Sequence, residues 1–334
     1  MVFFKMKGGF FMDKNVVVVG IGELMTDEIY KKTQESLFLL KKDGGGTVWN
    51  ILCNLGAYNI PTIALGACGK DKDAKIAIQS LQKFNVNVDN VLKVFKKTKK
   101  IYVIIPEGDL EDESISMKLK SPFTGIKPEI SYFDGWQNQI IIPKNINIIA
   151  VADNFRKANL EIIKMLQKYN HCNVVLDIGH VEFLNNISNQ YIEGYINQVD
   201  FLQVNEHVMS EFIKRFNKNS FELYKLFNLK IMIITKGSRG VEFIWNEDNK
   251  VKCKQYDILN PAKIVDSCGA GDAFLSNFIK NYLTMVNNNQ NIDAIFFERT
   301  FLKGIELTKK VVSSIGARGH LYNERVDENE FNGR

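Results

Sequence analysis

The sequence predicts an α/β fold with a mostly parallel sheet, and two observations support this prediction. Residues 15–22 form a β-branched run ending in Gly20 and Gly22, as expected of a strand buried on both faces. Further strands are predicted at 60–69, 146–152, 173–177, 200–204 and 230–235. Apolar residues at helical spacing predict helices at 47–58, 74–84, 158–169, 273–285 and 295–314. The alternation of strand and helix predicts βαβ units.

Composition and charge exclude several classes of function. With 45% hydrophobic and 24% charged residues among 334, we expect a soluble globular protein. The formal net charge of +5 comes from 43 basic and 38 acidic residues, and the basic residues do not form a stripe. No apolar run approaches the roughly 18 residues that a membrane helix needs. We therefore expect neither nucleic acid nor a membrane as a partner.

Cysteine placement predicts a reducing compartment. The five cysteines are widely spaced without a Cys-x-x-Cys pair, and the four histidines show no metal-ligand spacing with them. Residues 1–14 lack the apolar core of a secretory signal. We therefore expect a cytoplasmic protein with a single α/β domain over 12–322 and an acidic tail over 323–334.

A glycine-rich turn ahead of a helix carries the main functional signal. Gly269, Ala270, Gly271 and Asp272 precede an apolar, helix-compatible run. The first N–H groups of a helix lack intrahelical acceptors, so this turn can form an anion cradle suited to phosphate. A carboxylate beside such a cradle can accept a proton from an attacking hydroxyl, which predicts phosphoryl transfer to an alcohol. A helix cap and a plain turn are the alternative that these residues leave open.

The stretch Asp-Ser-Cys-Gly-Ala-Gly-Asp over residues 266–272 resembles the Asp-Thr-x-Gly-Ala-Gly-Asp signature of the PfkB (ribokinase-like) carbohydrate kinase family. Ser267 stands where Thr is usual. The resemblance implies a three-layer, doubly wound, mostly parallel sheet flanked by helices, with a small β-sheet lid from segments at about 24–42 and 91–120. It also implies ATP and Mg²⁺ as cofactors, Asp272 as the catalytic base, and Gly269, Ala270 and Gly271 as the anion hole.

Two further motifs resemble the acceptor side of this family. Asp27 follows the first predicted strand and Glu23, at a position where the family uses an Asp to bind sugar hydroxyls. Gly45, Gly46 and Asn50 resemble the family's first signature, in which close backbone approach and the Asn amide hold the sugar. The resemblance therefore implies that Asp27, Gly45, Gly46 and Asn50 bind the acceptor.

Other motifs resemble the nucleotide side. Asn205 ends a predicted strand, and Thr235, Gly237 and Gly240 resemble the family's phosphate-contacting loop, although a plain hairpin turn is an alternative. The family has a Glu where this chain has Val208, so no residue is predicted to hold the metal. A Gly-Ala pair at 316–317 resembles the pair that ends many family members near the adenine pocket.

The leading hypothesis is an ATP-dependent kinase that phosphorylates a hydroxymethyl group of a small carbohydrate. One alternative is a nucleoside kinase of the same fold, in which Tyr30, Phe38 or Tyr102 stacks on a base, although these rings could equally form the lid core. A second alternative is a non-catalytic regulator that binds a sugar or nucleotide. The resemblance also implies that two copies of the chain can pair through the lid.

Overall fold

The computed structural model describes residues 16–105, 116–118, 135–259 and 264–323, with backbone only for 116–118. In chain order the strands are β1 (Val16–Glu23), β2 (Met25–Lys32), β3 (Leu37–Gly45), β4 (Thr62–Cys68), β5 (Val86–Asn87), β6 (Val91–Lys93), β7 (Lys99–Ile105), β8 (Ser116–Lys118), β9 (Asn147–Ala152), β10 (His171–Ile178), β11 (Phe201–Asn205), β12 (Ile231–Thr235), β13 (Val241–Glu247) and β14 (Lys250–Tyr256). The helices are α1 (Thr47–Ala57), α2 (Lys72–Lys83), α3 (Lys157–Tyr169), α4 (Asn189–Ile196), α5 (Glu206–Phe216), α6 (Ser220–Leu226), α7 (Ala270–Asn287) and α8 (Ala294–Val312).

Ten of these strands form one large sheet in the order β14-β13-β12-β11-β10-β9-β1-β4-β5, with β6 also paired to β4. All adjacent strands from β12 across to β4, and the pairs that β4 makes with β5 and β6, run parallel. At the other edge, β13 is antiparallel to β12 and β14 is antiparallel to β13. The central strands are almost wholly apolar because helices cover both of their faces. The predicted mostly parallel sheet is confirmed.

Helices on the two sides of this sheet make three layers. Successive residues of β1 point to opposite faces, so Val18 belongs to one apolar core and Val19 to the other. The first core is closed by α1, α2, α7 and α8, and the second by α3, α4, α5 and α6. Both α1 and α7, which carry the predicted signatures, therefore lie on the same side of the sheet.

A second, four-stranded sheet, here called the lid, has the order β3-β2-β7-β8. Leu24 alone separates β1 from β2, so the lid is attached directly to the carboxyl end of a central strand. Residues 91–93 were expected in the lid, and that expectation is wrong, because β6 pairs with β4 in the large sheet. The lid resumes only at Lys99, where β7 begins parallel to β2.

Some predictions fall outside the described residues, including the start of the domain at 12 and the acidic tail beyond 323. The proposed domain limits therefore stay predictions. Within the described ranges, none of the helices combines the length and apolarity needed to cross a lipid bilayer.

Candidate active site

The glycine-rich turn lies at the start of α7, as the sequence predicts. Gly269 has a φ of 82°, and a Cβ there would lie 2.5 Å from the Cβ of Ala317, so only glycine fits. The N–H groups of Gly269 and Gly271 meet no acceptor among the described residues, whereas that of Ala270 donates to the Ser267 carbonyl at 3.3 Å. Two amides of the predicted cradle are therefore available, and the third is held by a long bond.

Asp272 follows in the first turn of α7, and α1 supplies its partners. Its Oδ2 accepts a hydrogen bond from Asn50 Nδ2 at 2.7 Å, and the Thr47 side chain also bonds to the carboxylate. Burial raises the pKa of Asp272 to about 6, with Asp153 adding to the rise and Asn50, Thr47 and Arg318 opposing it. Asp272 is thus a hydrogen-bonded carboxylate that is deprotonated at neutral pH and basic enough to accept a proton.

Asp27 lies on β2 against the glycines that end β3. A Cβ on Gly45 would fall 2.0 Å from Asp27 Oδ1. The Asp27 carboxylate can therefore contact the backbone of residue 45 only because that residue is glycine. The Asp27 carboxylate has no hydrogen-bond partner among the described residues. Burial raises its pKa to about 7, with Asp43 and Asp272 contributing and Arg318 opposing. The structure therefore brings Asp27, Gly45 and Asp272 into one cluster.

Asn50 is buried between the predicted catalytic residue and a residue that the sequence analysis missed. Its Nδ2 donates to Asp272, and its Oδ1 accepts from Arg318 Nε at 2.8 Å. Only the second N–H and the second lone pair of the amide therefore remain for a ligand. Arg318 follows the Gly-Ala pair at 316–317, and nothing in the local sequence indicates that a lone arginine near the C-terminus reaches α1.

The lid presents an aliphatic face to the site. Ile29, Ile101, Val103 and Ile105 form an apolar cluster that packs against Met25 and Cys268. Tyr30 and Tyr102 lie on the opposite face, with ring centroids 6.3 Å apart and the Tyr30 hydroxyl bonded to Glu28. Phe38 is exposed at the lid edge. Tyr30 and Tyr102 therefore point away from Asp27, whereas Phe38 pairs with Lys31 on the Asp27 face, four residues along β2 from Asp27.

More ionisable groups surround the carboxyl ends of the strands than the sequence analysis identified. Burial raises the pKa of Asp153, which follows β9, and that of Asp177, on β10. Arg156 Nη1 pairs with Glu23 Oε2 at 2.5 Å. Burial lowers the pKa of Lys99, although Asp153, Glu23 and Asp27 partly compensate. The site is therefore rich in carboxylates, with cations from the lid, from the residue that precedes α3 and from the C-terminal segment.

The predicted nucleotide-side residues gather at the ends of β11 and β12. The Asn205 amide donates to the Gly179 carbonyl at 2.7 Å and accepts from the Val208 N–H at 2.9 Å, which caps α5. Thr235 ends β12, and its hydroxyl makes a long bond of 3.5 Å to the Val204 carbonyl. Gly237 and Gly240 bound the short 3-10 turn that follows. Gln203 Nε2 donates to the Gly271 carbonyl at 3.2 Å, which connects this region to α7.

The described residues offer no cage of protein ligands for Mg²⁺. No group of three His, Cys, Asp or Glu side chains in the described part of the chain is placed to hold a metal ion. Val208, where the family has a Glu, is fully buried in the core. The neighbouring Glu206 pairs with Arg239 instead.

Comparisons with known proteins agree with this architecture. Residues 13–297 match the model of the pfkB family carbohydrate kinases. The ATP-dependent 6-phosphofructokinase of Thermoanaerobacterium thermosaccharolyticum is 24% identical over 290 residues, which are 81% of this chain and 84% of that protein. The crystal structure of the Methanocaldococcus jannaschii nucleoside kinase, an archaeal member of the ribokinase family, matches with a TM-score of 0.67, 18% identity and coverage of 94% and 95% of the two chains. An uncharacterized sugar kinase from Pyrococcus horikoshii in complex with ATP matches with a TM-score of 0.66, 18% identity and coverage of 90% and 93%.

Proposed function

Because the chain belongs to the pfkB family of carbohydrate kinases, and is therefore a phosphotransferase, we propose that it transfers the γ-phosphoryl group of ATP to a hydroxymethyl group of a small sugar. The observation that carries this proposal is Asp272, a buried carboxylate beside the open amides of Gly269 and Gly271 at the start of α7. The Asp-rich cluster around it offers acceptors for sugar hydroxyls.

Asp272 acts as the general base in this proposal. Its pKa of about 6 leaves it mostly ionised at neutral pH, yet high enough to take the proton as the hydroxyl oxygen attacks phosphorus. The N–H groups of Gly269 and Gly271, with that of Ala270 once it leaves Ser267, stabilise the charge on the transferred phosphoryl. Proton removal and charge stabilisation would thus come from one helix start.

The acceptor would lie under the lid, oriented by Asp27. The Asp27 carboxylate has no hydrogen-bond partner among the described residues, so it can accept bonds from two sugar hydroxyls. Gly45 and Gly46 let the acceptor approach the backbone, and the second N–H of Asn50 can reach one of its oxygens. The aliphatic lid face then excludes water from the phosphoryl group.

ATP would lie toward β11 and β12. In this proposal Thr235, Gly237 and Gly240 contact its phosphates, and Asn205 supports the loop by capping α5. We propose that Mg²⁺ enters as part of the nucleotide complex rather than on protein ligands, since Val208 replaces the family's Glu.

A nucleoside acceptor is the second candidate, because the nucleoside kinase of M. jannaschii has the same fold over 94% of this chain. The lid argues for a sugar, since Tyr30 and Tyr102 face away from Asp27 and the described cleft face is aliphatic. On this face of the described lid, stacking on a base would be left to aliphatic side chains and to Phe38, which pairs with Lys31 four residues along β2 from Asp27.

Two further features of the proposal concern the surroundings of the enzyme. All five cysteines are free, which supports a reducing compartment such as the cytoplasm. Phe38, Leu39 and Leu40 are exposed on β3, an edge strand of the lid. This apolar strand supports the pairing of two copies through their lids.

The test is release of ADP from ATP across a panel of sugars, sugar phosphates and nucleosides. We expect turnover with a sugar that carries a free hydroxymethyl group, and a kcat reduced by about 10³-fold or more in Asp272→Asn, with ATP affinity largely retained. The Asn side chain can still accept the bond from Asn50, so thermal stability should not fall. Turnover only with nucleosides would favour the second candidate, and no turnover with any acceptor would favour a regulator. Undiminished turnover in Asp272→Asn would refute the base assignment.

A further inference from the structure

We propose that Arg318 is a positioning residue for catalysis, which orients the Asn50 amide and through it the carboxylate of Asp272. This inference rests on the proposed role of Asp272. The three residues come from distant parts of the chain, the C-terminal segment, α1 and α7, and are connected by two consecutive hydrogen bonds.

Arg318 is held rigidly enough to position a neighbour. Its side chain is 2% exposed, and Nη1 donates to Ser80 Oγ at 2.7 Å while Nε donates to Asn50. Ser80 Oγ in turn donates to Asp43 Oδ1 at 2.7 Å. The guanidinium therefore connects α2 and the end of β3 to α1, and its planar geometry fixes the direction of both of its bonds.

The donor-only chemistry of arginine determines how Asn50 is oriented. A guanidinium has no acceptor, so the atom of Asn50 that faces Nε must be the carbonyl oxygen. The amide nitrogen must then face Asp272 Oδ2, to which it donates. Without Arg318 the amide can rotate and present its oxygen to the carboxylate, which replaces a hydrogen bond by repulsion between two acceptors.

The charge of Arg318 acts on the same group. The carboxylates of Asp27 on β2, Asp153 after β9 and Asp177 on β10 all interact with the site, as does the Cys268 thiol in the turn. Burial raises the pKa of Asp272, and the positive charge of Arg318 opposes that rise. Removing the cation should therefore move the titration of Asp272 to higher pH.

If Arg318 only held the C-terminal segment in place, other residues that hold this segment would have the same effect on the site. Tyr322 lies four residues after Arg318 on the same network, and its hydroxyl donates to Asp43 Oδ1 at 2.9 Å but makes no hydrogen bond to Asn50 or Asp272. Tyr322→Phe is thus a matched control that loosens the same segment while leaving Asn50 and Asp272 untouched.

The kinetic test compares Arg318→Met, Arg318→Lys and Tyr322→Phe for the pH dependence of kcat/KM and for kcat and KM separately. In Arg318→Met we expect kcat to fall by roughly 100-fold. We also expect the acid limb of the kcat/KM profile to move to higher pH by about one unit. Arg318→Lys keeps the charge, so its acid limb should stay near the wild-type position. Tyr322→Phe should leave the limb in place. An acid limb that is unmoved in Arg318→Met, or moved equally in Arg318→Lys, would overturn the proposal.

A double-variant cycle tests whether Arg318 acts through Asn50. If it does, then at a pH where Asp272 is fully ionised in every variant, Arg318→Met combined with Asn50→Ala should lose no more kcat than Asn50→Ala alone, within about twofold. Losses that multiply would contradict the proposed order of action.

A measurement that needs no substrate separates this inference from the proposed function. The carboxyl carbons of aspartate can be labelled with ¹³C and titrated by NMR, with Asp272→Asn identifying the resonance. We expect the Asp272 titration to move upward in Arg318→Met and not in Tyr322→Phe, even if no acceptor is ever phosphorylated. An unchanged titration would sink the inference even in an enzyme with full kinase activity.

Discussion

At the scale of single residues, the site holds carboxyl groups whose ionisation costs stability. Asp27 has its pKa raised from 3.8 to about 7, chiefly by burial and then by Asp43 and Asp272. The folded protein therefore binds this proton more tightly than the unfolded chain does. Stability from this group is present below about pH 4 and is lost as the pH rises through about 7.

Asp27→Asn should consequently stabilise the fold in a pH-dependent way. We expect a higher melting temperature than wild type at pH 8, with the difference vanishing near pH 4, because the neutral amide removes a buried charge. Scanning calorimetry at several pH values measures this. Asp89→Asn, at an exposed carboxylate, is the control. A stabilisation that did not change with pH would contradict the electrostatic cause. We expect acceptor affinity to fall in the same variant.

At the scale of elements, one carboxylate connects a helix start to the lid. Asp71 caps α2 by accepting from the Ala74 N–H at 2.8 Å, and it also accepts from the Thr98 N–H and hydroxyl at 2.8 and 2.7 Å. Thr98 immediately precedes β7. Burial alone would raise the pKa of Asp71, but these bonds outweigh burial and hold the pKa below 3.8. The residue that precedes β7 is therefore tied to the start of α2.

Asp71→Ala should destabilise the fold more than the loss of an ordinary helix cap. We expect the free energy of unfolding to fall by about 2–3 kcal/mol at pH 7, since the cap and two charge-assisted bonds are lost together. Asp293→Ala is the matched control, because Asp293 caps α8 through a single bond to the Phe296 N–H and should cost about 1 kcal/mol. Urea denaturation measures both. Equal losses would show that the bonds to Thr98 add nothing.

At the scale of the whole molecule, we propose that two copies of the chain associate through the lid edge. Phe38 and Leu39 are 55% and 53% exposed on β3, which is the edge strand of the lid among the described strands. A second copy of the chain would cover both the apolar side chains and the strand edge.

The wild-type protein should therefore be a dimer at micromolar concentration, and Phe38→Glu combined with Leu39→Glu should be a monomer. Sedimentation velocity measures this directly. Leu302→Glu is the control, since Leu302 is 58% exposed on α8, which is not part of the lid. A monomeric wild type, or a monomeric control, would contradict pairing through the lid.

The sequence by itself determined the layered α/β fold and the turn at residues 269–272. Buried parallel strands are continuous apolar runs, and a glycine-rich turn before a helix acts through its own backbone, so both leave local signals. The family resemblance implied that Asp27 and Gly45 both bind the acceptor, and the structure shows that they lie in contact.

Only the tertiary structure decided which side chains complete the site. Arg318 and Asn50 are 268 positions apart and Asn50 and Asp272 are 222 apart, so no window of sequence contains their contacts. The pairing register decided which side chains of the lid face the site. Because side chains alternate along a strand, Tyr30 and Tyr102 point away from Asp27. Tertiary pairing also placed β6 beside β4 in the large sheet. Local patterns specify backbone conformation, whereas the direction of a side chain depends on which distant backbone packs against it.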